Sequence, residues 1–581
     1  MEHADSAPAP SGVGAKASWK IPFLLVAVAA TAAIAPFFFA GNASGHDIQF
    51  HLSSWMDVAG QWREGTFYPR WAEWANWGFG EPRFIFYPPL SWMLGAVLGL
   101  ILPWKATPGA FIWLALILAG MAMWRLAREW LPEAQAAIAA VFFAVNPYNL
   151  AIVYYRSDFA ELMGVALLPL LVWGALRMIR CNWRYVPHVA IVFAAIWLAN
   201  APEGVIATYS LALVLLIATA RQRSAQPLLI GSAAMAAGFG LAAFYILPAA
   251  WERGWVQISG VLTTNLLPQH NFLFTHSSDA EFQLFNWKIS GVAVGTMLAT
   301  TAAVAVAWPR RRSFGKIWWM LLGLGFASAL MMLPVSLELW RHLPELVFLQ
   351  FPWRWLAPLS VALALFAAAA ISGLRRHGTR QIATALVLVL IGITGALIAT
   401  STWWNSEDAA LIAGEIQSGH GYEGVDEYQP TGDDRTDLPN ATPDAEEMPK
   451  VPATLPVEIF DADSGKVSPT NGDVKIDVQK WAGERKRFEI EADAPVTLAV
   501  RLLNYPAWDV QEDGKSISPE AAPETAEMLL ALAPGQHEVE IRFARTPDRI
   551  AGDAISALSV IGLAGFVLIK RKRRSTKAGG A

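Results

Sequence analysis

Charge is scarce in this chain. Only 16% of its 581 residues are Asp, Glu, Lys or Arg, while 54% are hydrophobic. An ordinary soluble domain carries about 25% charge. The shortage is uneven: several runs of about 17–25 residues hold almost no charge, the pattern of membrane-spanning helices. Cysteine is nearly absent too. Cys181 stands alone, which excludes an internal disulfide framework and a Cys-based zinc site. No phosphate-binding GxxxxGK[ST] loop, dinucleotide glycine fingerprint, helix–turn–helix or fixed-period repeat is present. An ATP-driven transporter would need its nucleotide domain on another chain, and no nucleic-acid partner is expected. The net charge of -4 says little, because distribution outweighs the sum.

Long apolar runs and tryptophan are abundant instead. The 27 Trp suit two wide aromatic belts at the membrane surfaces. The spacing predicts spans at 21–40, 107–126, 134–153, 161–180, 186–200, 204–220, 227–249, 290–308, 317–334, 354–373, 381–401 and 553–569. Run 21–40 is too long for a signal-peptide core and lacks a clear cleavage site, so it reads as a retained helix. The run 89–103 is shorter, roughly 22 Å as a helix against a core of about 30 Å, and reads as dipping or re-entrant. Short loops holding Arg125/Arg128, Arg177/Arg180/Arg184, Arg221/Arg223, Arg310–Arg312 and Arg375/Arg376/Arg380 then all fall on the cytoplasmic side, with Lys16, Lys20 and the terminal KRKRR. If 89–103 does cross, the spans number thirteen and the basic tail is inverted.

The expected organisation is therefore a mainly α, polytopic membrane protein of about 12–13 transmembrane helices with an external C-terminal β-sandwich. A cytoplasmic tail occupies 1–20 and the membrane domain 21–401, with a first external loop at 41–88. An external linker or cap follows at 402–456. The sandwich spans 457–545, the final helix 553–569 and a basic cytoplasmic tail 570–581. Residues 405–456 are rich in Asp, Glu, Gly and Pro. VEIF, DVKIDV, RFEIEA, VTLAVRLL, WDV and HEVEIRF alternate at period two, and Asn471-Gly472, Asp513-Gly514 and Pro534-Gly535 supply turns.

The outer loops concentrate the ionisable and aromatic residues. In 44–64, Ile48, Leu52, Trp55, Ala59 and Trp62 form one helical stripe, while Asp47, His51, Ser54 and Gln61 fall on another face. An amphipathic helix in the membrane interface would turn Asp47 and His51 towards a cavity. Asp47 there suits a general base, or a ligand with His51 for a divalent cation, Mg2+ or Mn2+. Ser44-Gly45-His46-Asp47 equally reads as a helix cap. Residues 63–90 interleave Arg63, Arg70 and Arg83 with Trp71, Trp74, Trp77, Phe79, Phe86 and Tyr87. That mixture suits phosphate beside an acyl chain or sugar face, and equally an aromatic belt with snorkelling arginines. Arg156, Asp158 and Glu161 in YYRSDFAE either face a cavity or pair with one another. Arg354 in QFPWRWL either meets phosphate or anchors a helix. Glu203 reads either as a cavity carboxylate or, in preference, as a polar turn between two helices. The loop histidines His270 and His276 lack metal-site spacing.

GHDIQFH at 45–51, QWREGTFYPRW at 61–71 and NWGFGEPRFIFYPPLSW at 76–92 resemble the bacterial membrane-protein family labelled 6-pyruvoyl-tetrahydropterin synthase-related. NPYNLAIVYYRSDFAE, QFPWRWL, DEYQPTG and NYPAWDVQEDG extend the resemblance along most of the chain. That family is similar to a branch of the GT-C glycosyltransferases. The resemblance implies a multi-helix fold, a polyprenyl-phosphate-linked sugar donor and an acid in the first external loop. Asp47 matches that acid, and Asp158 and Glu161 lie where later external acids occur. His46 stands where many GT-C enzymes carry the first acid of an adjacent pair, and the WWDYG signature of oligosaccharyltransferases is absent.

The expectation is sugar transfer to an envelope glycan, lipid or protein on the outer face of the bacterial inner membrane. Asp47, Asp158 and Glu161 are the candidate catalytic acids. His46, His51, Arg70, Arg83, Tyr87, Arg156 and Arg354 are the candidate substrate contacts. A non-catalytic scaffold or glycan-binding component of envelope assembly, or a lipid-linked sugar transporter, are the alternatives.

Overall fold

The computed structural model describes residues 18–276, 279–371, 381, 392–404, 408–417, 419, 421–430, 438, 465–523 and 525–578. Among these, eight helices are long and apolar enough to cross a membrane, and ten if each of two sharply bent pairs is one span. Fewer spans are found than the twelve expected. The run 186–200 forms a helix of 14 residues, about 21 Å long and short of a bilayer core. The expected span 381–401 lies largely outside the described residues.

The longer helices of the body are numbered in chain order: α1 (Lys20–Ile34), α2 (Ile48–Arg63), α3 (Pro89–Gly99), α4 (Thr107–Ala127), α5 (Glu133–Ala144), α6 (Phe159–Cys181), α7 (Val186–Ala199), α8 (Ala201–Gln222), α9 (Gln226–Leu241), α10 (Ala243–Glu252), α11 (Ala280–Ala307), α12 (Lys316–Met331) and α13 (Leu356–Ala370). The apolar run after Tyr87 makes only the 11-residue α3, too short to cross. α9 and α10 meet at a bend of 75°. α6 and α13 are buried on nearly every side and form the centre of the bundle.

The first loop is folded into the body. α2 keeps its apolar stripe, yet Ser53, Ser54, Asp57 and Gln61 on its other faces are buried as well. It is an internal helix, not an amphipathic one in the membrane interface. The expected linker is partly ordered: residues Asp408–Gln417 form α14, and 421–430 lie against α2. The Tyr422 hydroxyl donates to Asp57 Oδ2 at 2.9 Å, and Asp57 also accepts from Gln61 Nε2 at 2.7 Å and the Trp74 amide at 3.1 Å. The rest of 405–456 lies mostly outside the described residues, as does the expected strand VEIF.

Two antiparallel sheets follow. β1 (Val467–Pro469), β4 (Val496–Leu503), β7 (Glu520–Ala521) and β8 (Glu527–Leu532) form one, in the order β1-β4-β8-β7. β2 (Val474–Ala482), β3 (Arg485–Ala492), β5 (Trp508–Glu512), β6 (Lys515–Ile517) and β9 (Gly535–Phe543) form the other, in the order β2-β3-β9-β5-β6. Alternate residues point inward, such as Leu498, Val500, Met528, Phe488, Ile490 and Val539, as a half-buried strand requires. The same core includes Trp71, Phe79, Ile85 and Phe86 of the first loop. Trp71 packs on Trp508 with ring centroids 5.1 Å apart, and Phe86 stacks on Tyr428 at 5.8 Å. Much of the aromatic density of 63–90 is therefore the seat of the sandwich. The closing helix α15 (Pro547–Ala578) runs back along α10.

Candidate functional site

Two distant segments are pinned at Gly45. A Cβ there would fall 2.5 Å from the backbone of Arg156 and Ser157, so only glycine allows the approach. The Gly45 amide donates to Ser157 Oγ at 3.1 Å, and that hydroxyl donates to Ala43 O at 3.0 Å. Ser157 itself has φ 49°, a left-handed conformation held by these bonds. It follows a π-helical turn over Ile152–Arg156, a distortion frequent at functional sites. The result delivers the Asp47 amide to Arg156 O at 2.9 Å.

Asp47 begins α2, but its side chain makes no capping bond. Its Oδ2 lies 2.7 Å from Arg156 Nη2, with the side chain 30% exposed. Arg156 Nη1 lies 3.2 Å from His46 Nδ1. One turn into α2, His51 Nε2 is buried 3.6 Å from Asp158 Oδ1. Asp158 opens α6, accepting the Glu161 amide at 2.9 Å. Glu161 Oε2 accepts from Arg354 Nε at 3.0 Å, and its Oε1 accepts from the Tyr148 hydroxyl. Arg354 also reaches Asp158 Oδ2 at 3.5 Å and donates to Leu349 O at 2.9 Å. Asp47, His51, Arg156, Asp158, Glu161 and Arg354 thus form one connected network where α2, α6 and α13 begin. Tyr87 borders it, its ring 5.8 Å from His51.

Burial pushes the Asp158 carboxyl up, but His51, Arg156 and Arg354 outweigh it and hold the group below the ordinary carboxylate range. Burial, then the Asp158 and Asp47 carboxylates, push the Tyr87 hydroxyl well up, so it stays a proton donor. One buried nitrogen in the network, Arg156 Nε, has no partner, and His51 Nε2 has its 3.6 Å contact with Asp158. Asp47 and His51, the expected cation ligands, each face a different partner. Arg156 occupies the Asp47 carboxylate, and His51 faces Asp158 instead. The only three-ligand cluster among the described residues lies elsewhere, on the β-sandwich.

Two expected phosphate contacts are displaced. Arg83 is 1% exposed and spent on Glu81 Oε1 at 2.6 Å and Ser54 Oγ at 2.9 Å. Arg70 lies past the far end of α2, about 24 Å of helix from Asp47, and stacks over Tyr68 at 4.5 Å. It lines a cavity of about 290 Å³ with Phe244, Glu484 and Arg549. Neither could be excluded from one sequence, because the partners that occupy or separate them lie on other faces or segments.

Tyr148 escapes the sequence reading, and Lys288 and Glu203 carry little weight in it. Tyr148 follows the helix cap Asn146 and points at Glu161. Lys288 donates to the Tyr155 hydroxyl at 2.9 Å. Glu203 is no polar turn: it is fully buried in the first turn of α8, and neither carboxylate oxygen has a partner. The signal was the Asn-Ala-Pro-Glu order, in which Asn200 caps the helix and Pro202 sits in its first turn. Beside Glu203, Trp197, Val205, Tyr245, Phe348 and Phe86 line an apolar cavity of about 310 Å³. Leu349, whose carbonyl holds Arg354, lines it too.

Residues 84–405 match the model of the 6-pyruvoyl-tetrahydropterin synthase related domain, a membrane-protein family. The chain belongs to this family. Family membership and the apolar helices make it a multi-pass membrane protein. No curated protein sequence matches it. Among solved structures it is similar to the apo oligosaccharyltransferase of Archaeoglobus fulgidus, with 13% identity and a TM-score of 0.43 over 68% of this chain and 57% of that one. It is also similar to the arabinofuranosyltransferase AftD from Mycobacteria, at 17% identity and a TM-score of 0.43, over 66% and 26%. ArnT from Cupriavidus metallidurans gives 14% and 0.39, over 69% and 68%. This family member therefore spans little more than half of the first and about a quarter of the second.

Proposed function

We propose that this protein transfers a sugar from a polyprenyl-phosphate donor to a hydroxyl of a cell-envelope acceptor, on the outer face of the inner membrane. One observation carries the reading: five ionisable side chains and His51 are gathered where three membrane-body helices begin, next to an apolar cavity. Burying charge costs several kcal/mol per ion unless it is paired, and such clusters within membrane proteins mark substrate sites. The donor's lipid occupies the cavity beside Phe86 and Phe348. Arg156 Nε, without a protein partner, donates to its phosphate, with His51 as a second donor. Arg354 is held by Glu161 and Asp158 and fixes their positions.

Asp47 is the most accessible acid of the network and takes the acceptor proton. The acceptor oxygen attacks the anomeric carbon, the bond from that carbon to the phosphate oxygen breaks, and the electron pair leaves on polyprenyl phosphate. Configuration inverts in this single displacement. No nucleotide is consumed, because the phosphate-linked sugar is already activated.

Purified wild type and Asp47→Asn are compared for transfer of radiolabelled sugar from a panel of polyprenyl-phosphate donors to envelope acceptors. Label with wild type alone is expected, with both proteins eluting as the same folded species; the Asp47→Asn variant loses the ion pair to Arg156, so its unfolding temperature is expected to be somewhat lower. Equal labelling by the two would remove Asp47 from the chemistry. No labelling with any donor would move the reading to a scaffold.

A further inference from the structure

The turn between β5 and β6 lies beside the start of β9. Asp513 there has φ 50° and is followed by Gly514 at φ 76°, the two left-handed residues of a tight hairpin. Its amide donates to Glu538 O at 2.9 Å, and its Oδ1 accepts the Glu538 amide at 2.9 Å. The carboxylate is thereby aimed, with Oδ2 left over. That oxygen lies 2.9 Å from His537 Nδ1, and Glu512 Oε1 lies 3.1 Å from the same nitrogen.

The other ring nitrogen decides how to read this contact. His537 Nε2 lies 3.1 Å from Ala533 O. A carbonyl only accepts, so Nε2 carries the proton, and in the neutral ring Nδ1 presents a lone pair. A lone pair facing two carboxylate oxygens is repulsive unless a positive centre lies between them. A proton on Nδ1 serves Asp513 Oδ2 and leaves Glu512 Oε1 beside it. A metal ion satisfies all three atoms at once. Metal-bound histidines characteristically donate their other N–H to a backbone carbonyl, as here.

The dimensions agree. The three donor atoms lie within 4.8 Å of one another. Tetrahedral zinc, with bonds of about 2.0–2.2 Å, holds its ligand atoms roughly 3.4 Å apart, so each oxygen must draw back from His537 Nδ1 by a few tenths of an ångström. The Asp513 side chain is 50% exposed and free to do so. Asp513 and His537 also line a groove of about 590 Å³ whose walls include Asp477, Glu489 and Glu491. Its acidic walls favour a cation.

We propose that Glu512, Asp513 and His537 form a divalent-cation site of the Zn2+ class on the β-sandwich, cross-linking the β5–β6 turn to β9. Three protein ligands leave a further position for water or for an oxygen ligand lying in the groove. The site is independent of the sugar-transfer reading and of the Asp47 network.

Full-length protein in detergent, stripped with chelator, is titrated with zinc chloride alone, and bound zinc is counted by mass spectrometry after desalting. His537→Gln, Glu512→Gln and Asp47→Asn are run beside wild type, each checked by size exclusion and circular dichroism. The two sandwich variants are expected to bind one zinc fewer per chain, or the same zinc at least tenfold more weakly. Asp47→Asn is expected to match wild type. Equal zinc content and affinity in wild type and either folded sandwich variant would overturn the site, leaving His537 an imidazolium paired with carboxylates. Loss of zinc in Asp47→Asn alone would overturn it as well.

Discussion

Arg354 shows what one planar cation does at a buried site. Its fork reaches Glu161, Asp158 and the Leu349 carbonyl together, a set no single ammonium can match. Arg354→Lys is expected to keep the charge and lose the alignment, lowering transfer at least tenfold. Arg354→Ala leaves two buried carboxylates short of their cation and is expected to cost about 3–5 kcal/mol, read from unfolding midpoints in detergent. Asp158 gives a pH signature of known sign. Its folded-state value is depressed, so its contribution is present above the unfolded value of about 3.9 and is lost as pH falls through and below it. The stability difference between wild type and Asp158→Asn should be constant from about pH 5 to 8 and shrink below about pH 4. YYRSDFAE displayed these groups in the sequence as either a cavity or a set of ion pairs. They are both, because each acid keeps an arginine while Arg156 keeps a free nitrogen.

At the scale of elements, α2 was legible and its surroundings were not. Period 3.6 located the helix, but periodicity reports only one apolar face, and α2 is covered on its polar faces as well. Part of the covering comes from 421–430, more than 350 positions away, through Tyr422 on Asp57, and Gln429 Nε2 ties the same segment to Asn76 Oδ1 of the first loop at 3.1 Å. Burial pushes the Asp57 carboxyl up, against its three hydrogen bonds. Tyr422→Phe removes one of those donors and should cost about 1 kcal/mol. Hydrogen exchange should quicken in 421–430 and in α2 while α6 stays protected. Unchanged exchange would mean that this tie does not hold the segment. Sheets were read more completely, because alternation and Asx-Gly turns are local signals. The seat beneath them was not, since Trp71 and Phe86 look the same in a belt as in a core.

The whole molecule is closed by a contact among three parts distant in sequence. Glu252 at the end of α10 is fully buried and takes Arg549 of α15 bidentately, Nε to Oε1 and Nη2 to Oε2, each at 2.7 Å. Tyr505, between β4 and β5, donates to Oε2 at 2.7 Å. Body, sandwich and closing helix therefore share one carboxylate. Together with the aromatic seat, this fixes the sandwich over the first loop. Glu252→Gln keeps the shape and removes the charge, leaving Arg549 buried without a counter-ion at an expected cost of about 3–5 kcal/mol. That loss should appear first as faster amide exchange in β4, β5 and β9 and at the start of α15, with α6 and α13 unchanged. If sugar transfer needs the sandwich seated, activity should fall in step with that exchange. Exchange in the sandwich equal to wild type would show that the aromatic seat alone suffices to hold it.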